Sequence, residues 1–188
     1  MHSPVVTQTA TTPARALRRS LAVGLAVLLV AVSAQITVPI PLNPVPVTLQ
    51  PLAILVVGGL LGAGAGAAAL VLYLALGIMG LPVFAGGAAG FVHVLGPTGG
   101  YLMAFPAAAA MAGLGTRGDA GVVRVLVCCL LGMAVIHLGG IAHLALLTGD
   151  LGKAVHVGFI PFFTGDLLKV GLAAAVILGA GPKVRALL

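Results

Sequence analysis

Charge is what this sequence has least of. Of 188 residues, 6% are charged, and the carboxylates number three: Asp119, Asp150 and Asp166. An ordinary soluble domain carries about a quarter charged residues, so this chain cannot cover a water-facing surface. Tryptophan is absent and aromatics make up 4%. The two cysteines, Cys128 and Cys129, are adjacent within an apolar run. Adjacent cysteines rarely bridge each other, so both read as small buried hydrophobes rather than a disulfide or a metal site. The phosphate loop Gly-x-x-x-x-Gly-Lys-Ser/Thr, the Gly-x-Ser-x-Gly elbow and His-Glu-x-x-His are all missing, which removes the common enzyme templates. If ATP drives this protein, another polypeptide must hydrolyse it. His137 and His143 are six apart, off a common helical face, and no His/Cys/carboxylate spacing suits a metal. Neither a metal nor a cofactor is expected.

What is present is apolar: 61% hydrophobic residues and 28 glycines, with a mean hydropathy of +1.25. Abundant small residues suit closely packed membrane helices. The net charge of +6 would raise nucleic-acid binding in a soluble protein. Here the basic residues sit mostly at the ends of apolar stretches with no interleaved aromatics. They set orientation in a lipid bilayer, and nucleic acid is not an expected partner.

Residues 1–14 are rich in Thr and Pro and read as a disordered cytoplasmic tail, leaving 15–188 as a single membrane domain. Arg15, Arg18 and Arg19 precede an apolar stretch to Ile36. A signal peptide has a similar outline, but counted from Leu17 the stretch reaches the roughly 20 residues that span a bilayer. Pro39, Pro41, Pro44, Pro46 and Pro51 then impose an extended loop. The uncharged run from Pro51 to Leu81 is too long for one upright span and tight for two. Within it Gly58, Gly62 and Gly66 recur every four residues, as a turn or as a packing face. A Gly-rich segment follows over 82–100. Further spans are expected near Tyr101–Leu114, Val122–Leu147 and Pro161–Leu178, with a polar loop around Asp150 and Lys153. Gly179 to Arg185 carries glycine, proline and basic residues that read as a helix stop.

Charge parity decides the count. If 51–81 is two helices, Arg15, Arg18, Arg19, Arg117, Arg124, Lys183 and Arg185 lie on the cytoplasmic side and only Lys153 lies outside. With one helix there, four of those cations change sides and the asymmetry vanishes. The positive-inside rule favours the first arrangement. The expected fold is therefore all-α, a polytopic membrane protein of six transmembrane helices with both termini cytoplasmic. That parity brings the Pro-rich loop, the Gly-rich loop and the start of the last helix to one external face.

Asp166 and Lys169 are the most informative charges. They are three apart on one helical face, inside an apolar span. Ionisable groups at membrane depth are costly unless paired or facing a watery cavity. They form either a self-satisfying ion pair that closes the bundle or the floor of a pocket. In a pocket, Lys169 attracts a ligand carboxylate and Asp166 accepts N–H groups. Pro161 and Thr164 place Asp166 in a first helical turn, where the dipole favours a carboxylate. Thr48, Gln50 and Asn43 read as loop solvation or as ligand contacts. Phe84, Tyr101 and Phe162 read as core filler or as stacking surfaces. The hydroxyl of Tyr73 needs a partner if buried.

Three segments together resemble the BioY family, the biotin-specific S components of energy-coupling factor (ECF) transporters. They are Val45–Gln50; Gly80–Gly87 continuing to Gly96–Leu102; and Gly158–Lys169, with its Gly165-Asp166-Leu167-Leu168-Lys169 motif. The resemblance implies a multi-pass subunit of the prokaryotic cell (inner) membrane that captures biotin from outside. It implies a site that includes Asp166 and Lys169, with Thr48, Gln50, Phe84 and Tyr101 around it. The implied partners are a transmembrane T component, met through Ala22 and Ala26 in the first helix, and two ATPase subunits. The chain departs from the family pattern at His143, where an aromatic is usual. Biotin comes from the resemblance; the residues alone specify a small amphiphilic acid. The alternatives are an S component for thiamine or riboflavin, a proton-linked permease using Asp166, and a membrane scaffold that binds no ligand.

Overall fold

The computed structural model describes residues 13–118 and 121–188. The tail expected over 1–14 lies outside the described residues up to position 12, as does Asp119; Pro13 and Ala14 already belong to the first helix. In chain order the elements are α1 (Pro13–Gln35), β1 (Thr37–Val38), β2 (Val47–Thr48), α2 (Gln50–Ile78), a 3-10 turn (Ala85–Gly87), α3 (Val92–Leu95), α4 (Gly99–Leu114), α5 (Val122–Thr148), α6 (Leu151–Gly158) and α7 (Phe163–Leu187). Four of these, α1, α2, α5 and α7, are long and apolar enough to cross a membrane, and α4 is a shorter apolar helix.

The uncharged run over 51–81 is not one rod. At Gly62 the backbone turns to φ +81°, ψ 169°, a region that essentially only glycine occupies. A Cβ added to Gly66 would stand 2.8 Å from the Cα of Gly58. In a straight helix those residues would be about 12 Å apart, so the chain doubles back. Gln50 Nε2 accordingly reaches the hydroxyl of Tyr73 at 2.9 Å. The arms, 50–61 and 63–78, are about 18 and 24 Å long at 1.5 Å per residue. Gly58 also faces the backbone carbonyl of Ala109 so closely that any side chain there would overlap it. The four-residue glycine repeat thus provides both a reversal, at Gly62, and a close packing face, at Gly58 and Gly66.

The first arm of α2 runs against α4 and α7, and α5 closes the bundle against α4, α6 and α7. Ile54, Leu70, Ile136 and Ile177 are fully buried between them. The outside is studded with Leu17, Leu25, Leu138, Leu146 and Leu168. Such an apolar exterior matches lipid, where helices satisfy their own backbone hydrogen bonds.

The Pro-rich segment is extended and folds back as a short antiparallel ladder, Thr37 opposite Thr48 and Val38 opposite Val47. Asn43 Nδ2 donates to the carbonyl of Val157 at 2.8 Å and pins this loop to α6. Asn43 is therefore a structural tie.

Two expectations need correction. The loop expected around Asp150 and Lys153 is a helix, α6. Gly149 ends α5 in the left-handed conformation (φ +69°), and Asp150 caps α6 by accepting from the Lys153 amide at 3.0 Å. The stop expected at Gly179–Arg185 does not occur, and α7 continues through Pro182 to Leu187. Its last turns are held from outside the helix. The break at Gly62 leaves carbonyls at the end of the first α2 arm without a following turn, and Arg185 Nη1 donates to that of Gly59 at 3.1 Å.

Candidate binding site

A cavity of about 240 Å³ lies at the end of the bundle where the Pro-rich and Gly-rich segments meet α7. Its wall contains all six residues expected to bind ligand: Thr48, Gln50, Phe84, Tyr101, Asp166 and Lys169. Pro44, Val45, Leu102, Phe105 and Ile136 make much of the rest apolar. A mostly apolar pocket with a few convergent polar groups is the usual form of a small-molecule site.

The polar residues among those six are each held by a neighbour. Gln50, buried at the start of α2, donates to the Tyr73 hydroxyl, and Tyr73 donates in turn to the carbonyl of Val83 at 2.9 Å. The buried hydroxyl thus has the partner it requires, and the first loop is joined to the second. Phe84 is 2% exposed and meets the edge of Tyr73 at 5.7 Å. Tyr101 lays its ring over Gly140, where any side chain would overlap it, and donates from its hydroxyl to the carbonyl of Gly158 at 2.7 Å. The Thr48 hydroxyl accepts from the amide of Gln50 at 3.2 Å.

Asp166 stands in the first turn of α7, as its sequence context suggests, although the residue before the helix is Phe162 and no side chain caps it. Its Oδ1 accepts from Lys169 Nζ at 2.7 Å. Its Oδ2 lies 2.7 Å from Nε2 of His137, which comes from the middle of α5. Asp166 and Lys169 are 4% and 7% exposed, so both charges are withdrawn from lipid and open only to the cavity.

Over residues 6–186 the sequence matches the family described as the BioY family. The chain belongs to the BioY family. It is 45% identical over 156 residues to the probable biotin transporter BioY of Pyrococcus horikoshii, covering 83% of this chain and 90% of that one. It is 37% identical over 162 residues to the biotin transporter BioY of Thermotoga maritima, covering 86% and 95%. The fold is similar to a crystal structure of the S-component for biotin from an ECF-type ABC transporter, with a TM-score of 0.82 and 26% identity, over 94% of this chain and 95% of that one. This BioY chain is a multi-pass prokaryotic membrane protein.

His137 belongs to the site, although the sequence offers it only as a metal candidate and not as a ligand contact. No fixed spacing links it to Asp166, since it arrives from another helix. The available signal was a deficit: a carboxylate at membrane depth with two oxygens and only one cation within helical reach. His143, which departs from the aromatic that the resemblance implies, bonds through Nε2 to the carbonyl of Gly96 at 3.1 Å. It ties α5 to the segment before α4 and is not among the residues lining the cavity.

Ala26 does not face outward: it is 6% exposed within the core. Ala22 is half-buried beside a surface pocket that Leu61 and Ala65 of α2 also line. Small residues four apart mark any close helix contact, and here the contact is with the chain's own α2. On the outward face the small residues are Ser20 and Gly24, set among Leu17, Leu21, Leu25 and Leu28.

Proposed function

We propose that this chain captures biotin at the outer face of the cell membrane for uptake driven by partner ATPase subunits. The observation that carries this reading is one cavity, walled by apolar residues, with the Lys169–Asp166–His137 cluster on one side. Biotin offers a carboxylate, a ureido group with donors and an acceptor, an apolar sulfur ring and an alkyl chain. Lys169 takes the carboxylate, and the lone pairs left on Asp166 accept ureido N–H groups. Gln50 and Thr48 supply further polar contacts, and Phe84 and Tyr101 flank the ring. Family membership and the similarity to a biotin S component favour this ligand over other amphiphilic acids.

The same reading has six crossings: α1, the two arms of α2, α4, α5 and α7. The reversal at Gly62 supports that count. Both termini are then cytoplasmic, because the basic residues gather at the end away from the cavity. A transmembrane T component docks on the outward face of α1, where Gly24 has open space above its α-carbon.

A thermal-shift panel on the purified protein tests the ligand. Biotin is expected to raise the melting temperature, with thiamine and riboflavin inert. Stabilisation by either of those in place of biotin redirects the reading to another vitamin, and no stabilisation by any of them favours a scaffold. Uptake that survives removal of the ATPase but is abolished by an uncoupler supports a proton-linked permease instead.

A further inference from the structure

His137 is surrounded in a way that constrains its protons. Nε2 lies 2.7 Å from Oδ2 of Asp166, and Nδ1 lies 3.3 Å from the carbonyl oxygen of Gly158. A carbonyl only accepts, and this one already accepts from the Tyr101 hydroxyl. A carboxylate engaged by Lys169 also only accepts. A neutral imidazole carries one N–H. With that hydrogen on Nε2, the lone pair of Nδ1 faces the Gly158 oxygen. With it on Nδ1, the lone pair of Nε2 faces a carboxylate. Only the imidazolium donates to both.

Among the described residues, the groups packed on the ring add no other charge. Tyr101 from α4 and Phe159 at the end of α6 meet it edge-on, at 6.3 and 5.0 Å, and Phe162 lies beside it at 6.3 Å. Asp166, with Lys169 behind it, is the charged neighbour. His93 lines the cavity on another wall.

Charge balance then gives His137 a role in binding. With a neutral imidazole, Lys169 and Asp166 cancel, and a bound carboxylate would leave a net negative charge at membrane depth. With the imidazolium, two positive groups face one negative group, and a single ligand carboxylate restores neutrality. A buried charge is tolerated when it is paired. We infer that the site binds its anionic ligand together with a proton on His137, which makes this histidine the counter-charge of the complex and the residue that positions Asp166. This inference rests on the biotin reading above, and it predicts a property that the reading alone does not.

Binding that is coupled to uptake of a proton weakens as pH rises. Affinity for the anion therefore falls on the alkaline side, by up to about tenfold per pH unit for one linked proton. The test is biotin affinity of the full chain in nanodiscs between about pH 6 and pH 9, in the range where histidine titrates. It is paired with biotinamide, in which the carboxylate is a neutral amide. Wild type is expected to lose biotin affinity with rising pH while biotinamide binding stays flat. His137→Gln, which keeps a donor, is expected to bind biotin more weakly with a flat profile, and His93→Gln to retain the slope. Calorimetry in two buffers of different ionisation enthalpy is expected to show proton uptake with biotin and none with biotinamide. A flat biotin profile in wild type, or an unchanged slope in His137→Gln, overturns the proton linkage while leaving biotin capture standing. If His137→Gln does not fold, the wild-type comparison of the two ligands still decides. Failure of wild type to bind biotin at any pH sinks both.

Discussion

Replacing Lys169 with methionine tests the centre of the site. Methionine keeps most of the stem that packs along α7 and removes only the ammonium. Lys169 is 7% exposed and its nitrogen stands 2.7 Å from Asp166, so a ligand carboxylate beside it would be shielded from water. Truncating one member of a buried, hydrogen-bonded charge pair costs about 2–5 kcal/mol. At about 1.4 kcal/mol per decade, that weakens biotin binding by roughly 30-fold to a few thousand-fold. Asp166 keeps His137, so the fold is expected to survive, as a cooperative melting transition in detergent will show. The measurement is equilibrium binding of biotin and of biotinamide to wild type and variant, a cycle that isolates the charge–charge contribution. The variant is expected to lose affinity for biotin by at least the lower figure and for biotinamide by less than about threefold. Biotin affinity within about threefold of wild type would refute the role of Lys169. An equal loss for both ligands would mean that Lys169 holds the pocket in shape and does not meet the carboxylate.

The reversal in α2 makes Gly62→Ala informative: at φ +81°, ψ 169° a side chain costs about 1–3 kcal/mol, read as a lower melting temperature, and an unchanged one would mean that the turn is not at Gly62. Topology is tested by labelling single cysteines in intact cells, with Cys128 and Cys129 replaced by alanine. The exposed Leu42→Cys is expected to react with an impermeant maleimide and Lys183→Cys only after permeabilisation, and the reverse order would invert the assigned orientation. Gly24→Trp is expected to abolish copurification with the T component while leaving biotin affinity unchanged. Full copurification would move the docking surface off this face of α1.

Different physical signals made different parts legible. The spans follow from hydropathy, and the site's charged pair follows from the cost of placing Asp166 and Lys169 in an apolar helix. Hydropathy did not resolve the run from Pro51 to Leu81; the distribution of seven arginines and lysines did, because orientation is set by charge outside the membrane and not by the spans themselves. Helix α6 was hidden because Gly152 and Gly158 lower its propensity and its eight residues are too few to show a period. Its cap at Asp150 was visible, but an aspartate in a short polar loop suits a turn equally well. The continuation of α7 past Pro182 rests on Arg185 reaching Gly59, a contact 126 residues apart in sequence. The burial of Ala26 has a similar origin: spacing places two alanines on one face, and only the neighbouring helix decides what that face meets.

The polarity of the cavity has a source that neither its side chains nor its loops supply alone. In an up-and-down bundle, helix N-termini and C-termini alternate at each end, and their dipoles largely cancel across the end as a whole. They do not cancel over the cavity. Gln50 and Pro51 reach it from the start of α2, Thr98 and Tyr101 from the start of α4, and Phe162 and Asp166 from the start of α7. Helix α5 contributes Ile136 and His137 from its middle, and no residue of α1 lines the wall. Three long-helix N-termini therefore open on the space, and the C-terminal end that joins them, at Gly96, belongs to the one-turn helix α3. Each of the three N-termini brings the positive end of a helix dipole, roughly half an elementary charge. In a wall this apolar, that field is screened weakly. It adds to the support that His137 and Lys169 give Asp166 in its first turn, and on the proposed reading lets Lys169 share itself with a ligand carboxylate. On the proposed reading, an anion is favoured by the helix ends that the loops leave uncovered, together with Lys169 and the proton on His137.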